Sequence, residues 1–408
     1  MRILVLDEEF PYPTNSGKRT RSFNLYRRLA ARFQIRYIGY GEDGSRAAAA
    51  LRSAGIEPAA VRPGVPPKHG IAFYLRLLVN LLSPLPYIVT SHYSKAYRDV
   101  LLESLARLRP DLIICEWTPY AIFVKELSSI RKLMSAHNVE ADIWQRYYET
   151  ETNWLKRWYI GEQWRKVRRF EIEALRWVDG ALAVSEQDRA RLAASSPALR
   201  TAVVPNGVDA GYFRPAPQPA GRQQLVFTGS MDWRPNQDAA RYFATQILPL
   251  LRRKNPGIEC TFVGRDPPAD IRALADVAGM RITGTVDDVR PYVERAAVYV
   301  VPLRIGGGSR LKILEAMAMG RAVVSTTVGA EGLDVVHDRH VLLADDPREF
   351  AQSVLQLLGD PDRCARLAAE GRRLVEQRYE WGALCDALGK FAHAVATDEA
   401  APAQQDRE

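Results

Sequence analysis

The sequence predicts an α/β protein built on two parallel sheets, and three observations carry that expectation. Short apolar runs alternate with helix-period segments from the start, as at Arg2–Leu6, Phe23–Ala31 and Gln34–Ile38, which makes a β-loop-α-β opening. The alternation is interrupted by the turn-rich VPNGVDAGYFRP at Val204–Pro215 and the Pro-, Gly- and Gln-rich APQPAGRQQ that follows it. It restarts at LVFTG and continues through the second half. Strands separated by helices must be joined by crossovers, so both sheets are expected to be parallel and covered by helices.

The 408 residues suit two or three domains, each large enough to bury a core, and the expected division is 1–200, 201–375 and a terminal segment 376–408. The net charge is +8, and the basic excess sits in residues 1–200, where 31 Lys and Arg face 21 Asp and Glu. Such a half favours anionic partners: phosphorylated substrates, acidic lipid or nucleic acid. Four scattered cysteines, Cys115, Cys260, Cys364 and Cys385, have neither zinc-ligand spacing nor a disulfide pattern and point to a reducing cytoplasm. The start, MRILVLDEEF, turns acidic too early for a signal peptide and reads as a buried strand. The most apolar segment, Ile71–Thr90, is broken by Arg76, Asn80, Pro84 and Pro86, short of the roughly 18 clean residues of a membrane span, so no transmembrane helix is expected.

In chain order, the loop Pro13–Lys18 follows the first strand, where open α/β sheets bind ligands, and Ser16 and Gly17 are its closest backbone; a plain surface turn is the alternative. Pro58–Pro67 is expected to be irregular. A helix follows at Lys95–Leu108, then a strand at Asp111–Cys115, a further helix, and a strand at Arg131–Ala136. That last strand delivers His137 to its carboxyl end, as an acid/base or hydrogen-bonding candidate or as a structural histidine; Glu116 is a candidate at the end of the neighbouring strand. Trp144–Trp177 holds five of the eight tryptophans beside Arg165, Lys166, Arg168 and Arg169. Such a segment suits a lipid headgroup interface, nucleic acid, or helices with buried Trp and solvated charges. A strand at Gly180–Val184 leads to Ser185, a helix cap, and a short strand ends at Val204. Beyond the linker come helices at Asp238–Arg253, Ile271–Ala278 and Val289–Ala297 between strands at Glu259–Val263, Arg281–Thr283 and Val298–Val301. Strands AVVST and HVLLA, helices at Pro347–Leu358 and Pro361–Glu376, a closing segment Tyr379–Ala394 and a frayed tail from Thr397 complete the chain.

The segment VPLRIGGGSRLKILEAMAMG reads as a phosphate cradle opening a helix near Ser309. Gly306, Gly307 and Gly308 allow close backbone approach, while Arg310, Lys312 and the helix N-terminus gather positive charge where a pyrophosphate could sit. Glu315 could then accept hydrogen bonds from sugar hydroxyls. A tight turn with a solvated basic face is the alternative. The acidic pairs Asp287-Asp288 and Asp345-Asp346 read as a helix cap and a turn, so neither metal nor cofactor is expected.

Taken together, SEQDRARL, VVPNGVDAGYF, GTVDDVRPYVERAAVYVVPL and LKILEAMAMGRAVV resemble the family-4 retaining glycosyltransferases over most of the chain. The resemblance implies a GT-B architecture, two Rossmann-like domains facing across a cleft with the last helix returning to the first, and a nucleotide-diphosphate sugar as donor. It implies that Glu315 binds the ribose, that Gly307, Gly308 and the following helix lie by the donor phosphates, that His137 contacts the donor sugar, and that Gly17 approaches phosphates and acceptor. Two departures stand out. Gly307 replaces the first Glu of the family's E-x7-E motif, and the family's Arg and Lys after the first strand of the second domain fall at Ser230 and near Pro235 or Asn236, so Arg310 and Lys312, with Arg234 as a further candidate, are expected to supply the cations. HNVE, SPLPY, GSMDWRPNQDA beginning at Gly229, and GGGSRLKILEAMA also resemble the sugar transferases of exosortase and exopolysaccharide systems. This implies a polyprenyl- or other lipid-linked acceptor, peripheral placement at the inner face of the cytoplasmic membrane, and no nucleic acid. A nucleotide-sugar epimerase and a non-catalytic nucleotide-sugar-binding subunit are the alternatives.

Overall fold

Burial of short Val-, Ile- and Leu-rich runs produces two wholly parallel sheets. In the computed structural model, β1 (Arg2–Glu9), β2 (Gln34–Tyr40), β3 (Ile56–Val61), β4 (Leu112–Cys115), β5 (Arg131–Ser135), β6 (Gly180–Ala183) and β7 (Arg200–Val203) form one sheet in the order β3-β2-β1-β4-β5-β6-β7. The residues described are 1–216, 223–276, 280–305 and 310–398. The order reverses beside β1, whose Ile3 to Leu6 are fully buried and pair with Leu112 to Cys115 of β4. In an open α/β sheet the ligand crevice lies outside the carboxyl ends of the strands at such a reversal.

The second sheet contains β8 (Gln224–Thr228), β9 (Glu259–Val263), β10 (Met280–Ile282), β11 (Val298–Val301), β12 (Ala322–Ser325) and β13 (Leu342–Leu343), ordered β10-β9-β8-β11-β12-β13. Its reversal lies between β8 and β11. The chain divides into two compact units, Met1–Pro205 joined by the chain from Leu384, and Asn206–Ala383. The crossing happens inside the helix Trp381–Thr397, whose Leu388, Phe391 and Val395 are buried in the first unit. A Cβ at Gly180 of β6 would lie 2.9 Å from Val395 and 3.3 Å from Phe391, so a glycine lets this returning helix sit directly on the sheet.

Several element boundaries differ from the sequence expectation for local reasons. The helix expected from Phe23 begins at Gly17, because the Ser16 hydroxyl accepts from the Arg19 amide at 3.3 Å and caps it. Pro58 lies inside β3, on the sheet edge, where its missing N–H is tolerated. The helix expected after β4 is a 3₁₀ turn, Thr118–Phe123. The helix expected from Asp238 starts at Arg234 and widens to a π turn at Phe243–Ile247 just before Pro249, which has no N–H to donate. The Asp345-Asp346 pair is no simple turn: Asp346 caps the helix Pro347–Gly359, and Asp345 accepts from the Thr327 amide and hydroxyl, each at 2.8 Å. Asp288 accepts from the Arg290 amide at 2.9 Å. Among the described residues, no helix is long and apolar enough to cross a membrane.

Candidate functional site

In the first unit the carboxyl ends of β1, β4 and β5 bring together groups far apart in sequence. His137, two residues beyond β5, places Nε2 2.7 Å from Oε2 of Glu116, which directly follows β4. Glu116 is buried and also accepts from Ser22 at 3.0 Å and Tyr26 at 2.6 Å, both on the helix Gly17–Leu29. Burial alone would raise its carboxyl pKa, but the charge and hydrogen bond of His137, the Arg21 charge and the Tyr26 hydroxyl bring it down to about 2. The carboxylate is therefore ionised, so His137 donates through Nε2 and its ring is held in one orientation.

Beside this pair, Lys18 reaches Asp7 at 2.6 Å and Glu8 at 3.2 Å, and its ammonium lies 5.2 Å from the centre of the Trp117 ring. Burial would discharge Lys18, but Asp7 and Glu8 reverse that and hold it protonated. Trp117 donates to Glu140 at 2.8 Å, and Glu171 accepts from the Glu140 amide at 2.9 Å, capping the helix Glu140–Thr150. Burial raises the Glu171 carboxyl to about 7. Lys18 closes the candidate loop Pro13–Lys18, but its partners Asp7 and Glu8, and Glu171, did not stand out in the sequence; the DEE run ending β1 was the available signal. Ser16 and Gly17 stand at the helix N-terminus rather than in an open loop.

In the second unit the corresponding reversal holds a partly buried cation. The Lys312 ammonium donates to Asn236 Oδ1 at 2.7 Å and lies 4.2 Å from the centre of the Phe227 ring of β8. Asn236 donates to the Ser230 carbonyl at 2.7 Å, so a loop after β8 and the helix Leu311–Ala318 meet there. A Cβ at Gly229 would lie 2.8 Å from Lys312 Nζ and 2.9 Å from Asn236 Nδ2, so a side chain there would push on the Lys312–Asn236 contact. Burial, reinforced by Arg310, lowers the Lys312 amine to about 7. Glu315, one turn along the same helix face, is raised to about 7 by burial against the opposing pull of Lys312. Arg310 precedes the helix in a left-handed conformation, φ 52°, and its guanidinium meets the Glu331 side chain at 3.0 Å and the Glu331 carbonyl at 3.3 Å. The helix expected near Ser309 thus begins at Leu311. Gly306, Gly307, Gly308 and Ser309 lie outside the described residues. Asn236 shares the Lys312 site, and Arg234 opens the same helix two residues earlier.

Two family models match in tandem. Residues 15–212 match Glycosyltransferase Family 4, and residues 222–360 match Glycosyl transferases group 1. The chain is 29% identical over 232 residues to a GDP-mannose-dependent alpha-(1-6)-phosphatidylinositol monomannoside mannosyltransferase of Mycobacterium tuberculosis, covering 51% of this chain and 60% of that protein. It is 31% identical over 188 residues to a phosphatidyl-myo-inositol mannosyltransferase of Mycolicibacterium smegmatis, covering 44% and 48%. The chain thus spans about half to 60% of the length of these curated relatives. Among solved structures, sucrose-phosphate synthase from Thermosynechococcus elongatus superposes with a TM-score of 0.70 at 18% identity, over 98% of this chain and 100% of that one. The Anabaena protein HepE superposes at 0.68 with 13% identity, over 97% and 100%. Sheets of seven and six parallel strands, a helix returning from the second unit to the first, and two family models in this order lead to one conclusion: the chain belongs to the family-4 glycosyltransferases, of GT-B fold.

Proposed function

We propose that this chain transfers a sugar, with retention of configuration, from a nucleotide-diphosphate sugar to the hydroxyl of a lipid-linked acceptor. The setting would be the inner face of the cytoplasmic membrane, in exopolysaccharide or glycoconjugate synthesis. The observation that carries the donor assignment is the Lys312 ammonium, held by Asn236 beside Gly229 at the reversal of the second sheet and partly discharged by burial. A diphosphate there would restore its charge. Glu315 would accept from the ribose hydroxyls, and Arg310, anchored by Glu331, would shape the helix entry. Names of relatives support the acceptor class: two are mannosyltransferases named for phosphatidylinositol acceptors. HepE is described in complex with UDP.

In the reaction the bond from the anomeric carbon to the diphosphate oxygen breaks as the bond to the acceptor oxygen forms, and the acceptor proton passes to the departing phosphate. The transition state has oxocarbenium character, so fixed donors and cations at the diphosphate lower its energy more than that of the ground state. His137, its Nε2–H fixed on Glu116, would orient and polarise the donor sugar. Protein groups carry this charge in the proposed scheme, and a chelator is expected to leave turnover unchanged.

The test is a panel of UDP- and GDP-sugars with polyprenyl-phosphate- and phosphatidylinositol-linked acceptors. Acceptor-dependent release of nucleoside diphosphate is expected. Isomerised donor without acceptor would replace this proposal with an epimerase, and binding without turnover would replace it with a non-catalytic subunit. Unchanged donor affinity and turnover in Glu315→Ala would remove the site assignment.

A further inference from the structure

The helix Ile71–Asn80 has its amphipathicity inverted. Ile71, Tyr74, Leu75, Leu78 and Val79, with Leu82 just beyond, form one stripe at helical spacing and are each more than half exposed, Leu82 reaching 91%. Its polar residues face the protein instead. Arg76 donates to the Pro67 carbonyl at 2.5 Å; Asn80 is buried, donates to the Leu85 carbonyl at 3.1 Å and Thr90 at 3.0 Å, and accepts from Gln163 at 2.9 Å. A water-facing surface helix carries the opposite order, and an exposed apolar stripe of this size marks an interaction face.

The long helix Trp154–Leu175 is fastened to this one, because Lys166 donates to the carbonyls of Asn80 and Leu81 at 2.7 and 3.2 Å. It adds the exposed cations Arg165, Arg168 and Arg169, and at its start exposed Trp154 and Trp158. Apolar side chains flanked by cations match the layering of an anionic bilayer, in which acyl chains lie beneath a phosphate-rich surface. A second copy of the chain would instead bring like charges together. We propose that the Ile71–Leu82 stripe is a membrane-docking element that lies in the headgroup–acyl boundary of an anionic lipid surface, with the Trp154–Leu175 helix supplying the headgroup contacts. A ten-residue helix is about 15 Å long, half a bilayer core, so it lies in the interface rather than spanning it.

This inference deepens the proposed use of a lipid-linked acceptor, but vesicle binding is read without donor or acceptor, so the two proposals fail separately. The full chain is sedimented with phosphatidylcholine vesicles with and without phosphatidylglycerol. Binding is expected only with the anionic lipid and should weaken with salt. Leu75→Gln combined with Leu78→Gln should weaken binding about tenfold or more, given the transfer free energy of two exposed leucines, while circular dichroism and nucleotide-sugar affinity stay unchanged. The emission that Tyr74→Trp adds to that of the parent's eight tryptophans should shift to the blue on binding and be quenched by brominated acyl chains. Unaltered binding of the double variant, or a Tyr74→Trp minus parent emission indifferent to vesicles, overturns the proposal. So does a parent dimer that the double variant converts to monomer with vesicle binding intact, which would make a second copy the occupant.

Discussion

Lys312 and Glu315 stand three residues apart on one helix, and burial drives their pKa values together, the amine down and the carboxyl up, both to about 7. The pair therefore titrates where the chain would bind its donor. A diphosphate bound there would favour the ammonium, so above pH 7, where the free chain loses that proton, affinity is expected to fall by up to about tenfold per pH unit. Ribose hydroxyls on Glu315 would favour its carboxylate, so affinity is expected to fall below pH 7 as well. Calorimetric titration with a nucleotide sugar from pH 5.5 to 9 is expected to give a bell centred near 7. Lys312→Met should lose the alkaline limb and about 1.5–3 kcal/mol of binding, the usual worth of a hydrogen bond to a charged group. The His137 partner responds to acid instead. Glu116 has a folded pKa near 2, below its ordinary value, so its contribution to stability is complete above about pH 4.5 and is lost as pH falls toward 2. That contribution is on the order of 3 kcal/mol. Urea unfolding at pH 6 and pH 3 should show a smaller acid loss in Glu116→Gln than in the parent. His137 was legible because a strand period places it at a sheet end; its hold on Glu116, and Glu116's on Ser22 and Tyr26, were not. Those contacts join residues 21, 94 and 90 positions apart, a separation no local pattern encodes.

At the scale of elements, hydrophobic periodicity exposed nearly every strand, since a strand buried on both faces must be apolar throughout. Boundaries were lost where one residue's backbone chemistry decided the outcome. Ser16 capped a helix through turn-rich sequence, Pro58 was accepted at a sheet edge, and Pro249 followed a widened turn in an otherwise continuous helix. The glycines at the carboxyl ends of β8 and β9 illustrate the same limit, because their meaning is a packing distance. A Cβ at Gly264 would fall 1.8 Å from the Gly229 carbonyl oxygen, a backbone contact that no rotamer change relieves. Gly264→Ala must therefore displace Gly229 and the turn that leads from it to the helix bearing Asn236. The expected result is a loss of stability of about 1–3 kcal/mol, typical of overpacking, with a weakened nucleotide-sugar affinity. Gly44→Ala, with nothing near its Cβ position, is the control and should change neither. Thermal unfolding and donor titration of both variants check this.

For the molecule as a whole, the returning helix has the largest mechanical consequence. Trp381–Thr397 starts in the second unit, but from Leu384 onward it contributes Leu388, Phe391 and Val395 to the core of the first, and Arg32 pairs with Asp386 at 2.8 Å. The first unit thus depends on residues from both ends of the chain, whereas the second is continuous from Asn206 to Ala383 and holds the Lys312 site within itself. Removing residues 384–408 should act very unequally on the two. Four large buried side chains, Leu384 and the three named above, each worth about 1.5–3 kcal/mol, leave the first unit and expose β6 and its neighbours, a loss comparable to the whole stability of a typical domain. The second unit loses none of its own core. Calorimetric scanning of the truncated chain is expected to show the first unit's transition lowered or absent and the second unit's retained. Nucleotide-sugar binding should persist within about threefold, which is under 1 kcal/mol, while the proposed glycosyl transfer and vesicle binding, both of which would draw on the first unit, should be lost. Simultaneous loss of both thermal transitions would show instead that the two units fold as one cooperative body.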